Sequence, residues 1–460
     1  MPEDRTLVND QIDVLGQQPF LYKLYTQLCL VFPVTDSSCH DMIVSTLTDG
    51  LATLSKNFPW LAGDVINEGA GDGITGTFRI VPSDRIPLVT RDLRHDTSAP
   101  TMRDLRTADF PCSMLDEKVL APCLTLNLPG NTIGLAATAA PVFVVQVNFI
   151  TGGLILTVVA QHNVMDMTGQ GTIIGWLSKA CKNEPFTTEE LFIGNMDRSK
   201  TVDLLGESYE PGPEIAFQMV KPQKENTNDN ASPYESSWAY VVFSERSLQA
   251  LKSLATETKT LSSGFISTDD VVSSFIWKCV SRARVPRLQT HTKTLFARAV
   301  DVRQHMGVPL TYPGFLQSIT YNKHTLQRVA DAPLGAIASE LRRQLDPAVV
   351  NLQYSVRALI TFLARTPDKS KASVTACVNV PSDIMFSSWA KINTYELDFN
   401  LGLGKPEAVR RPMFAPFESL MYLMPKSPRG EMAVQMCLRD EDWERLKTDE
   451  EFIQYAKYVG

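Results

Sequence analysis

Leu154-Ile155-Leu156-Thr157-Val158-Val159-Ala160-Gln161-His162-Asn163-Val164-Met165-Asp166-Met167-Thr168-Gly169 is the stretch on which the reading of this chain turns. Its first seven residues are apolar or β-branched, the composition of a buried strand. The run stops at a histidine. An aspartate follows four residues on, and a glycine soon after. From Gln170 to Cys181 the apolar residues Ile173, Ile174, Trp176, Leu177 and Ala180 fall at helical spacing. Upstream, 142–149 forms a second strand, joined through Thr151-Gly152-Gly153. The plain reading of His162 is a loop histidine satisfied by a hydrogen bond. Its setting favours another. A histidine at the end of a buried strand is held rigidly, and a neutral imidazole of ordinary pKa can take a proton from an alcohol. Asp166 reads either as its orienting partner or as an anchor for the loop.

The rest of the chain alternates helical and strand patterns. Residues 36–55 carry Ile43, Leu47, Leu51 and Leu54 at helical spacing. Gly69-Ala70-Gly71-Asp72-Gly73 reads as a turn before a strand at 77–81. A crossover over roughly 195–236 is marked by Pro211, Pro213, Pro222 and Pro233 and by the polar run 224–230. A strand at 239–243 and a helix at 247–256 follow. Thr268-Asp269-Asp270 is expected to cap a helix over 271–282. Strands are expected at 294–302 and 374–380, with a long helical region over 334–364 between them. The pattern is mixed α/β, with 1–200 and 237–460 as two lobes and 201–236 linking them.

With 460 residues, 44% of them hydrophobic and 21% charged, the chain can bury a large core without disulfides or metal. A net charge of −7 disfavours a nucleic-acid partner. No run of about 20 apolar residues predicts a transmembrane helix, and Met1-Pro2-Glu3-Asp4-Arg5 does not read as a signal peptide. The eight cysteines are scattered without a CxxC, which points to reduced, mostly buried thiols in a cytoplasmic protein. On that reading the sequon Asn230-Ala231-Ser232 is silent. A monomer is expected.

Competing motifs fail. There is no GxSxG elbow. Gly71-Asp72-Gly73-Ile74-Thr75-Gly76 has the GxGxxG letters, but a strand follows where dinucleotide binding needs a helix. Gly402-Leu403-Gly404-Lys405-Pro406 lacks Walker spacing. His162 and Asp166 lack the third ligand of a metal site, so no metal is expected. Two further segments draw notice. One is Asp301-Val302-Arg303. The other runs from Ser387-Ser388-Trp389 to Asp398-Phe399-Asn400-Leu401-Gly402-Leu403-Gly404-Lys405-Pro406, whose glycines and proline imply a tightly specified loop.

Together these motifs resemble the BAHD acyltransferases. Phe58-Pro59-Trp60-Leu61-Ala62-Gly63 is similar to that family's YPLAGR segment, His162 to Asp166 to its HxxxD, Asp301-Val302-Arg303 to its DxR, and Asp398 to Pro406 to its DFGWGKP. Within the family the resemblance runs to the fungal trichothecene 3-O-acetyltransferases, through Asp398 to Glu407, Arg410-Arg411-Pro412 and Glu418-Ser419-Leu420-Met421-Tyr422. Asn400 departs from the pattern, standing where the family has glycine. The segments 122–141 and 222–236 also differ, and segments of that kind can shape an acceptor pocket.

The resemblance implies a two-lobed chloramphenicol-acetyltransferase-like fold, with mixed sheets, flanking helices and a channel between the lobes. It implies acetyl-CoA as co-substrate, a small-molecule alcohol as acceptor, and direct transfer without an acyl-enzyme. His162 is then the general base and Trp389 the oxyanion donor, with Ser387 or Ser388 nearby. Asp166 becomes the partner of Arg303 in an ion pair. Ser267, Arg303 and Lys405 are coenzyme candidates. Asp398, Gly402 and Gly404 are read as a structural loop. The acceptor reading is the C-3 hydroxyl of a trichothecene; another terpenoid or alkaloid alcohol is the alternative. A peptide-assembly condensation domain fits less well, because Gln161 precedes His162 and Met167 follows Asp166. A non-catalytic binding protein of the same fold is the reading from another class.

Overall fold

The computed structural model describes residues 11–35, 39–126, 139–221, 235–257 and 261–460. The N-terminal segment 1–5, the polar run 224–230 and the sequon at 230–232 lie outside the described residues. So does most of 122–141 and of 222–236.

Six strands come from the first part of the chain: β1 (Tyr25–Pro33), β2 (Asp64–Glu68), β3 (Thr77–Val81), β4 (Leu88–Asp92), β5 (Phe143–Ile150) and β6 (Gly153–Gln161). Eight follow: β7 (Ser236–Phe243), β8 (Lys293–Asp301), β9 (Gln317–Thr325), β10 (Ile384–Ser388), β11 (Ala408–Arg410), β12 (Leu420–Leu423), β13 (Met432–Arg439) and β14 (Lys457–Tyr458). They build a mixed sheet in the order β11-β1-β6-β5-β4, a larger one in the order β14-β7-β13-β12-β10-β8-β9, and the ribbon β2-β3.

β5 and β6 form the expected hairpin, with Phe143 opposite Ala160 and Ile150 opposite Gly153. Every residue of both strands is buried. That is why they read as apolar runs rather than as alternating sequence. The helices His40–Asn57 and Met167–Cys181 bury their apolar stripes in the core of the first sheet. The helices Glu245–Thr256, Thr268–Leu288 and Leu334–Arg343 do the same for the second. β11 comes late in the chain but pairs with β1, Arg410 opposite Cys29, so the first sheet is completed by a segment from the second part.

Three expectations need correction. No strand forms at 374–380, which is a run of turns. Asp383 closes that region by accepting from the Asn379 N–H (2.7 Å), Pro381 has no N–H to give a ladder, and the strand starts at Ile384. The region 334–364 is two helices, Leu334–Arg343 and Leu352–Arg365, parted by a stretch that contains Pro347. The cap of the helix Thr268–Leu288 is Ser267, one residue before the expected group, with Asp270 closing a reciprocal capping box.

The thiols are free. Six of the eight are buried, Cys39 is half-buried and Cys377 is exposed. Among the described residues no helix is long and apolar enough to cross a membrane.

Candidate active site

β6 ends at Gln161, and the next residue is His162. Its backbone N–H donates to the Leu24 carbonyl beside β1 (2.7 Å), so the loop is stitched to the neighbouring strand. The ring Nδ1 lies 3.2 Å from the Met165 carbonyl oxygen. A carbonyl can only accept, so Nδ1 carries the hydrogen and Nε2 keeps its lone pair. Phe315 meets the ring edge to face, 5.2 Å between centroids. The histidine is densely surrounded yet partly accessible. Burial pushes its pKa below the ordinary 6.5. The Asp166 charge and the Met165 hydrogen bond push the other way, and the Arg411 charge adds to the lowering.

Asp166 serves the loop. It caps the helix Met167–Cys181, accepting from the Gly169 N–H (2.9 Å). Its two oxygens also take both terminal nitrogens of Arg303 (2.9 and 3.0 Å) and the Leu316 N–H (2.7 Å). The pair is buried on both sides, with the arginine side chain at 0% and the aspartate at 2% exposure. The helix lies so close to the 313–314 turn that a Cβ at Gly169 would stand 2.3 Å from the Pro313 carbonyl oxygen. Only glycine permits that approach.

Arg303 has no donor left over. Besides Asp166 it gives hydrogen bonds to the carbonyls of Tyr312 (2.8 Å) and Gly314 (2.7 Å) and to Asp301 (2.9 Å). Its five N–H groups are thus spent inside the protein, and the expectation that it binds coenzyme gives way to an anchoring role. Ser267 is similarly occupied by the capping box and by Arg342 (2.8 Å). Lys405 is exposed and paired with Glu396 (2.5 Å). Of the three coenzyme candidates it alone offers a charge at the surface.

Trp389 follows β10 and is buried. Its indole N–H donates to the Ser387 hydroxyl (3.1 Å). Ser388 donates to Asp269, which also holds Arg298. The Trp389 ring packs on Tyr422 of β12 (4.9 Å), and the Arg411 guanidinium covers both Tyr422 (4.7 Å) and Phe414 (3.8 Å). The late loop is built as its punctuation suggests. Asn400, Gly402 and Gly404 all have positive φ (56°, 71° and 69°). Asparagine is among the non-glycine residues that best tolerate this conformation, and its amide donates to the Cys181 carbonyl (3.4 Å) at the end of the helix Met167–Cys181. Asp398 accepts from the Asn400 N–H (2.8 Å), while its own carbonyl holds Ser178 (2.7 Å).

A cavity of about 420 Å³ opens beside β11. It is lined by Arg106 and Phe110 on one side and by Val242, Ala433 and the turn after Pro425 on the other. His162 is not in its wall. Among the described residues no group of three or more His, Cys, Asp or Glu could hold a metal ion.

Sequence reasoning missed a second buried anchor beside the histidine loop. Asp13 accepts from the Tyr312 hydroxyl (2.6 Å), the Phe315 N–H (3.0 Å) and Arg198 (3.4 Å), and Arg198 also donates to the Val164 carbonyl (2.8 Å). Asp13 lies 185 or more residues from each of its partners, and nothing in their spacing signals the meeting.

The geometry has counterparts among known proteins. Residues 24–181 match the trichothecene 3-O-acetyltransferase-like N-terminal domain, and residues 118–453 match the Transferase family. A trichothecene 3-O-acetyltransferase of Saccharomyces cerevisiae is 55% identical, over 99% of this chain and 96% of its own. The O-acetyltransferase dmxR13 of Cryptosporiopsis is 51% identical, over 98% of each. The crystal structure of TRI101 from F. sporotrichioides, complexed with coenzyme A and T-2, superposes with a TM-score of 0.90 at 50% identity. The match covers 98% of this chain and 99% of that one.

Proposed function

The chain belongs to the Transferase family, the BAHD acyltransferases that its motifs resemble, and from that premise we propose that it moves the acetyl group of acetyl-CoA to the C-3 hydroxyl of a trichothecene. The observation that carries the chemistry is the ring geometry of His162. Nδ1–H is tied to the Met165 carbonyl, so Nε2 stands as a free base.

In this reading the alcohol binds with its hydroxyl against Nε2 and the thioester carbonyl beside it. His162 takes the hydroxyl proton as the oxygen attacks the carbonyl carbon. The tetrahedral oxyanion draws a hydrogen bond from the Ser387 hydroxyl, whose oxygen the Trp389 indole N–H holds (3.1 Å). Collapse breaks the C–S bond, and the leaving thiolate takes the proton back from the imidazolium. No protein atom is acylated, so the chain's contribution is positioning, proton transfer and a shielded chamber. Asp166 and Arg303 act at one remove, as positioning residues that hold the loop in shape.

A second acceptor class has support of its own. A relative as similar as dmxR13 carries no trichothecene name, so another hydroxylated fungal metabolite is the competing acceptor.

The test is incubation with acetyl-CoA and a panel of trichothecene, terpenoid and alkaloid alcohols. Free thiol and acetylated product are followed together. Product on a trichothecene at C-3 is expected. Product only on another alcohol selects the second reading, and no thiol release with any alcohol refutes transfer. His162→Gln should fold normally and lose transfer by roughly 10²–10⁴-fold.

A further inference from the structure

The tandem Arg410-Arg411 has no role in the mechanism so far. β11 ends at Arg410, which lines the cavity beside that strand. Arg411 points the other way, into the interior, and is only 1% exposed. Among the described residues no carboxylate lies within ion-pair reach of it. Its Nη2 donates to the Thr125 hydroxyl (3.0 Å) and its Nη1 to the Pro412 carbonyl (3.2 Å). Its Nε–H is buried and has no partner. A fully buried guanidinium without a carboxylate partner is costly to keep, and here the rings of Phe414 and Tyr422 cover it.

Its location indicates what the charge does. On one side the ring of Tyr422, which the guanidinium covers, packs on Trp389, and Tyr422 sits opposite Ser387 in the β10–β12 ladder. On the other side Thr125, which holds Nη2, accepts the Tyr25 N–H through its carbonyl. The adjacent Leu24 carbonyl holds the His162 N–H. The guanidinium is thus linked through Tyr422 to Trp389 and through Thr125 to the strand start that holds the His162 loop.

We propose that Arg411 is a positioning residue of the transfer step, a buried guanidinium without a carboxylate partner that lays a positive field over the chamber shared by His162 and Trp389, where the thioester oxygen becomes negative. The inference rests on the acyl-transfer reading. Burial is the main influence that disfavours a charged imidazole at His162, and the same field adds to it.

The other charges around His162 oppose this field in part. Asp166 favours the imidazolium more strongly than Arg411 disfavours it, although Arg303 pairs with Asp166 and with Asp301. Asp13 is paired with Arg198. Glu117 is the carboxyl that feels Arg411; burial pushes its pKa upward, while Oε2 accepts from the Gln27 amide (2.9 Å) and the Thr125 N–H (2.7 Å). Arg411 and Asp166 thus act on the ring with opposite signs.

The experiment uses the full chain with Arg411→Met, which keeps the aliphatic stem and removes the charge, and Arg411→Lys, which keeps the charge. If the methionine variant fails to fold, Arg411→Gln replaces it, since glutamine can still donate to Thr125. The imidazole signals of the six histidines are titrated by NMR, with His162 identified by its loss in His162→Gln. Removing the charge should raise the His162 pKa and move the acid limb of kcat/KM to higher pH. It should also lower kcat by roughly 10²-fold, the scale of one lost oxyanion-stabilising group. Lysine should restore the position of the limb. An unchanged His162 titration in the charge-free variant would overturn the proposal, as would a lysine variant no better than methionine. Absence of turnover in the unaltered protein would instead count against the acyl-transfer reading, while the ring titration would still decide the field of Arg411.

Discussion

His162 gains its tautomer from one hydrogen bond to a near neighbour along the chain (3.2 Å). The Met165 carbonyl, three residues on, sets the tautomer, a duty that the spacing alone offered to Asp166. Because burial lowers the pKa of this ring, the base stays neutral below the ordinary histidine range. The acid limb of a kcat/KM profile is therefore expected below pH 6.5, and a limb at or above that value would contradict the buried, neutral base. The sign for stability follows from linkage. Below pH 6.5 the unfolded chain binds a proton at this site before the folded one does. His162 thus removes stability as the pH falls from 6.5 through its lower folded pKa. Asn400 shows the same dependence on local geometry. It departs from the family's glycine, yet it holds the left-handed backbone that the loop requires.

Elements were legible where the pattern was strong. The β5–β6 hairpin and the helix after it follow from an unbroken apolar run, a Gly-containing turn and a 3.6-residue period. The strand expected at 374–380 failed because β-branched residues there are overruled by Pro381 and by a turn closed through Asp383. Caps are a finer case. Ser267 and Asp270 satisfy each other's backbone groups at the head of the helix Thr268–Leu288. Ser267→Ala should cost about 1 kcal/mol of stability, read as a lower urea midpoint. Coenzyme turnover should fall little if Ser267 is a cap and sharply if it binds a phosphate.

The whole molecule is held together at its site. Asp166 lies on the first sheet's loop, and Arg303 lies just after β8 of the second sheet, so the buried ion pair ties the two sheets together beside the His162 loop. Removing one partner of such a pair strands the other charge. Asp166→Asn is expected to cost about 3–5 kcal/mol, measured by chemical denaturation. A loss below about 1 kcal/mol would mean that the pair is not the anchor described here. Replacing both partners with apolar residues should recover much of the stability, but not the transfer activity, because the loop that aims His162 would lose its shape.

By itself, the sequence determined the mixed α/β framework and singled out His162, while the pairing of Asp166 with Arg303 came from the resemblance. Periodicity and short motifs encode strands, helices and residues close along the chain, and the DxR motif supplied the distant partner by resemblance. Only the tertiary structure decided that Arg303 is saturated, that Ser267 is a cap held also by Arg342, that Asp13 reaches Tyr312 and that Arg411 is buried against Tyr422 and Phe414. Each of these depends on how many hydrogen bonds a side chain can still make after the chain has closed around it. That balance is set in part by groups far along the chain, such as Asp166 for Arg303 and Thr125 for Arg411, which no local pattern records.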